Sequence, residues 1–132
     1  MYLLDTDTCI HLGRGNPAVL RKLREHKRAD IHLAILTIYE LEVGVQKATT
    51  QRHRKRKALN DLMDLFGIAP FGFSEACEAA RIRAELEKEG KPIGSIDYLI
   101  AGIARFHRWT VVTGNLDEFS RVKNLKSEQW HE

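Results

Sequence analysis

Four short aliphatic runs, Met1–Leu4, Ile31–Ile35, Gly67–Ala69 and Trp109–Val112, are separated by segments whose apolar residues recur at helical spacing. That alternation constrains the chain more than any other feature. Strands so uniformly apolar have no polar face, so both sides of their sheet must be covered. Crossover helices supply the cover and make the strands parallel. The spacing predicts a first helix over Asp7–Leu12, with Asp7 as its natural N-cap, broken by Gly13-Arg-Gly15. A second starts at Asn16-Pro17, with Asn as cap and Pro at the first helical position, and runs to His26. Thr37 is the expected cap of a helix with Ile38, Leu41 and Val45 on one stripe. Thr50-Gln51 opens another that carries Leu59, Leu62, Met63 and Phe66. Ser74 precedes one through Ala79, Ile82 and Leu86, stopped by Gly90. Ser95 caps a helix whose Ile96, Leu99, Ile100 and Ile103 share a face. The expected fold class is α/β, a single three-layer domain over residues 1–132 with a short, mostly parallel sheet flanked by helices.

Composition narrows the class further. With 43% hydrophobic and 30% charged residues, the chain has the balance of a globular protein with a packed core. No apolar run is long enough to cross a membrane, and Asp5 interrupts the N-terminus, so a cytoplasmic protein is expected. Cys9 and Cys77 form no CxxC pattern and are expected as free thiols. The net charge of +3 is concentrated in Arg21–Arg28 and Arg52–Lys57. A polyanion partner or a pair of solvated helix faces would each explain these runs.

Three acidic residues stand among apolar or turn-forming neighbours: Asp5 after the first strand, Glu40 in Ile38–Gly44, and Asp97 in Pro92–Gly102. Each has an ordinary structural explanation. Asp5 suits a turn after a strand, and Glu40 and Asp97 suit the positive ends of helices whose first turns they are expected to occupy. Their joint placement says more. Ligands of open parallel sheets gather beyond the carboxyl ends of the strands. Asp5, the Thr113–Asp117 loop and both helix starts fall at that edge. Carboxylates from distant parts of the chain converging there could share a divalent cation, which offsets their repulsion. Gly13-Arg-Gly15 does not follow a strand directly and is a turn rather than a dinucleotide fingerprint. The six histidines show no paired spacing and are expected at the surface or an interface, and Trp130 is expected over the edge of the last strand.

Taken in order, Leu3–Ile10, Glu40–Gly44, Ile82–Leu86, Lys91–Ala101, Val111–Phe119 and Trp130 resemble the PIN-domain family, more narrowly its VapC-type toxins of bacterial toxin–antitoxin pairs. The resemblance covers essentially the whole chain. It implies a PIN-like fold and a Mg²⁺- or Mn²⁺-dependent endoribonuclease with Asp5, Glu40 and Asp97 as its catalytic and metal-binding acids. A fourth polar position falls in the 115–118 loop, on Asn115, Asp117 or Glu118, while Thr6 and Thr113 are expected supporting hydroxyls. The chain has Asp7 where the family often has Asn. The resemblance further implies an RNA substrate, with tRNA favoured, a cognate antitoxin, and homodimerisation within a larger complex. Arg14, Arg21, Arg52, Arg54 and Lys55 are the candidate RNA contacts. The surface between the helices of Ile38–Ala48 and Gln51–Phe66 is the candidate antitoxin groove, or else plain helix–helix core. Two other readings stay open. Asp5-Thr-Asp7 copies the opening of haloacid-dehalogenase-like phosphatases, with Asp5 as nucleophile and Asp7 as general acid. A catalytically degenerate PIN module would bind its partner and cut nothing.

Overall fold

The computed structural model describes all residues from Met1 to Glu132. Five strands form one sheet: β1 (Tyr2–Leu4), β2 (Ile31–Ala34), β3 (Gly67–Ala69), β4 (Thr110–Val112) and β5 (Ser127–Glu128). Their order is β3-β2-β1-β4-β5, and every pairing is parallel. The sheet is thus parallel throughout rather than mostly so. The two-residue β5 has no apolar run to announce it; it exists because Val111 N–H bonds the Lys126 carbonyl and Thr113 N–H that of Glu128.

Seven helices cover the sheet: α1 (Thr6–Gly13), α2 (Pro17–Arg24), α3 (Ile35–Lys47), α4 (Arg52–Leu65), α5 (Phe73–Lys88), α6 (Ser95–His107) and the single-turn α7 (Leu116–Phe119). Adjacent strand residues point to opposite faces, so the aliphatic runs divide between two cores. Leu3, Ala34 and Val111 join Ile82, Leu86, Ile100 and Ile103 on the α5–α6 side. Leu4, Leu33 and Val112 join Cys9, Val19, Leu62 and Phe66 on the other. Burial from both sides is why these strands show no alternation in sequence.

Several helix starts differ from the spacing-based expectation. Asp5, not Asp7, caps α1 by accepting from Thr8 N–H at 3.1 Å. β2 runs straight into α3 from Ala34 without a side-chain cap, so Thr37 lies buried inside the helix. Gly94 rather than Ser95 is the cap residue of α6, and Gly72 stands before α5, which starts at Phe73. Asn16 caps α2 as its Pro neighbour predicts, bonding Ala18 and Val19 N–H. Trp130 donates its indole N–H to Glu128 of β5 at 2.9 Å and is buried against Tyr2 and His26, at centroid distances of 5.4 and 5.3 Å. No helix is long and apolar enough to cross a membrane.

Candidate active site

β1 is the point where the strand order reverses, with β2 on one side and β4 on the other. A parallel sheet opens a crevice beyond its carboxyl edge at such a point. Asp5 leaves β1 into it, and Thr113 leaves β4. Asp5 is 6% exposed, and both of its oxygens are engaged: Oδ1 with Thr8 N–H at 3.1 Å, Oδ2 with the Thr113 hydroxyl at 2.5 Å. Thr113 in turn accepts from Asn115 N–H at 2.9 Å, fixing its hydroxyl's direction. Burial nevertheless dominates and raises the Asp5 carboxyl above its ordinary range, with Asp7 adding to the rise.

Glu40 arrives from α3. Because that helix begins at Ile35, Glu40 lies in its second turn and not the first. The helix dipole fades within the first turn, so it does not explain an acid here. Thr6 donates its hydroxyl to Glu40 Oε1 at 2.5 Å, across 34 residues of sequence. Asp97 comes from the first turn of α6 and is half-buried. Its carboxyl is pushed up to about 7, by burial first, then by a hydrogen bond and charge repulsion from Glu118, then by Asp5 and Glu40. Glu118 is correspondingly held low by its hydrogen bond with Asp97, with help from Gly94 N–H and Asn115 Nδ2.

The four carboxylates therefore meet at one place. Of the three loop candidates, Glu118 faces Asp97, Asn115 steadies Glu118, and Asp117 is exposed on the outer side of α7. Asp7 also turns away, towards His11 and His131. Three oxygens of the acid group do not come within 4.8 Å of one another. That spread suits a small hard cation which keeps several of its waters and takes few carboxylates directly. The all-oxygen donor set and an acid that resists ionising until about pH 7 both fit such an ion.

Beside Glu40 lies a cleft of about 200 Å³, walled by α1, α3 and α4. Cys9, Leu41, Val45, Leu59 and Leu62 form its floor; Arg14, Arg54 and Lys55 stand at its rim with Glu40 and Thr6. The helix pair of the candidate groove is thus packed at its base and open towards α1. The other basic residues are spoken for or lie elsewhere. Arg56 grips Glu42 at 2.7 and 2.6 Å, and Lys57 pairs with Asp61. Arg52 bonds Gln46, and Arg21 on α2 approaches Glu132 at 3.9 Å. The two thiols are free, and burial pushes that of Cys9 far up, leaving it an inert neighbour of Asp5.

A parallel sheet in this order with clustered acids at its reversal point is the arrangement of the PIN domain, whose family model matches residues 2–125. The chain belongs to that family. Among its relatives, "tRNA(fMet)-specific endonuclease VapC" of Shigella flexneri is 30% identical over 129 residues, covering 98% of this chain and 97% of that protein. "Toxin FitB" of Neisseria gonorrhoeae is 30% identical over the full length of both. In DNA-bound VapBC from Salmonella typhimurium, a chain 28% identical superposes with a TM-score of 0.91 over 98% of this chain and 97% of its own.

Proposed function

We propose that the protein is a divalent-metal-dependent endoribonuclease, the toxin of a toxin–antitoxin pair, hydrolysing phosphodiester bonds of structured RNA with tRNA as the favoured class. The observation that carries this reading is the grouping of Asp5, Glu40 and Glu118 around Asp97, close enough to raise its carboxyl, at the sheet's reversal point and next to a cationic rim. The names of the VapC relatives support RNA, and that of the Shigella protein supports tRNA.

Asp5 and Asp97 would hold Mg²⁺ or Mn²⁺, with Glu40 and Glu118 as direct ligands or through water. Such an ion supplies a Lewis acid for the scissile phosphate and lowers the pKa of the attacking water. The chain's own groups do the rest. Thr113 and Thr8 hold both Asp5 oxygens, and Thr6 holds Glu40 so that its second oxygen can orient the water. Arg14, Arg54 and Lys55 draw the RNA backbone to the rim, a contact that gives affinity and salt dependence with little sequence choice. In-line attack at phosphorus then expels the 3′ oxygen and leaves a 5′-phosphate. Asp7, the general acid of the phosphatase reading, is directed to His11 and His131.

The apolar floor of the cleft is the seat for an antitoxin segment, and an arginine from that segment would pair with the acids and exclude the metal. A second copy of the chain would dock at the β3 edge, where Ile35, Tyr39, Ile68 and Phe73 are exposed. Purified protein should cleave RNA with Mg²⁺ or Mn²⁺, stop with a chelator, and lose about 100-fold or more of its rate in Asp97→Asn. Equal RNA decay by wild type and Asp97→Asn would leave a binding module in place of an enzyme.

A further inference from the structure

Past β5 the C-terminal tail returns beside the acidic site and lays the His131 ring on that of His11 in α1. The centroids are 3.9 Å apart and the planes 15° from parallel. Asp7 faces both rings, with Oδ1 3.8 Å from His11 Nε2 and Oδ2 3.7 Å from His131 Nε2. These gaps are too long for hydrogen bonds, so the stacked pair and the carboxylate stand together without satisfying one another. His131 is largely buried, and its Nδ1 has no partner. One donor atom from each of the three residues lies within 4.8 Å of the other two, and no other three acidic, histidine or cysteine residues meet so closely. Gly114 makes the meeting possible, since a Cβ there would fall under 3.0 Å from Asp7 and His131.

We propose that Asp7, His11 and His131 form a second metal site, separate from the acid cluster, for a borderline divalent transition ion such as Zn²⁺. Two imidazoles and a carboxylate are a donor set that zinc takes and magnesium does not. Tetrahedral donors about 2.0–2.1 Å from zinc stand about 3.3 Å apart. The present Asp7–histidine separations of 3.7 and 3.8 Å would shorten by about half an ångström, and the two nearly parallel rings would tilt so that both Nε2 lone pairs meet one ion. Ligation through Nε2 places the His11 proton on Nδ1, displacing only a 3.4 Å approach from Asn16 Nδ2, at the long limit of a hydrogen bond. Asp7 is half exposed, which leaves a fourth position open to water. The ion would clip the tail to α1 two residues from Asp5, adding a coordinate link to the stack and the Trp130 core contact.

The test reads binding, in the Asp5→Asn/Asp97→Asn double variant, so its result does not depend on the nuclease reading. Calorimetric titration with Zn²⁺ should show one ion per chain, and Cu²⁺ at the same site should show electron-spin coupling to two nitrogens. His11→Phe and His131→Phe keep a stacked ring while removing a donor. Each should weaken Zn²⁺ binding more than about 10-fold, since even groups outside the coordination sphere cost that much. Zn²⁺ affinity unchanged in both Phe variants, or a Cu²⁺ spectrum without nitrogen coupling, overturns the site.

Discussion

Thr113 shows how much of the candidate site hangs on single hydroxyls. It donates to Asp5 Oδ2 and accepts from Asn115 N–H, so one oxygen orients an acid from β1 and the loop that leads to Glu118. Thr113→Val keeps the shape and removes both bonds. A buried acceptor and a partly buried donor are left unmatched, a loss of about 1–3 kcal/mol for each fully buried group. We expect a lower unfolding midpoint in urea and slower RNA cleavage in the same variant. Thr113→Ser, which restores the hydroxyl, should recover most of both; a Val variant as stable as wild type would remove Thr113 from this role. Thr6 acts likewise on Glu40, and neither bond is between sequence neighbours.

At the level of elements, the α5–α6 contact is the most extensive between two helices and the one that presents Asp97. A Cβ at Gly102 would come within 2.6 Å of Ala79 Cβ and 2.8 Å of its backbone nitrogen. Backbone cannot yield as a flexible side chain does, so Gly102→Ala must push the two helices apart. Helix propensity favours the alanine by about 1 kcal/mol, and overpacking costs about 1–3 kcal/mol. The net expectation is destabilisation, read as a lower melting temperature, with a rise in the metal requirement as Asp97 shifts. An unchanged melting temperature would show that α6 moves freely. By contrast α3 and α4 are tied at their exposed side by the Arg56–Glu42 pair, while Arg54, its Nε bonded to Gln51, and Lys55 line the cleft.

Across the whole molecule, the acid cluster makes stability depend on pH. The folded protein holds the Asp97 proton up to about pH 7, whereas the unfolded chain releases it near 3.8. Between those values the native state binds the extra proton, so in chelator stability should fall as pH rises from about 4 to about 7 and then level off. Denaturation midpoints measured across that range should show the decline in wild type and a flatter profile in Asp97→Asn. Divalent metal should oppose the decline, most strongly at the alkaline end where the acids are ionised. A wild-type profile parallel to that of Asp97→Asn would mean that burial and its acidic neighbours do not hold the Asp97 proton.

The strand runs, the doubly covered sheet and the three principal acids could be read from the chain because each leaves a local mark: an unbroken aliphatic run, a helical stripe, a carboxylate among apolar neighbours. Asn16-Pro17 marked its helix for the same reason, since both residues act within one turn. Helix starts without a side-chain cap, at Ala34 and Gly94, leave no such mark, so spacing alone puts Glu40 in the first turn of α3 where the fold puts it in the second. The choice of Glu118 over Asp117 needed the direction of a single turn, α7, which exposes Asp117 while turning Glu118 towards Asp97 and Phe119 into the core. The meeting of Asp7, His11 and His131 had no signal, because the last of them is brought back by β5, a strand formed from backbone bonds to β4 and not from any apolar pattern. Local chemistry settled what each segment would become. Which side chains then share a proton or a cleft was decided only when segments far apart in sequence were packed against each other.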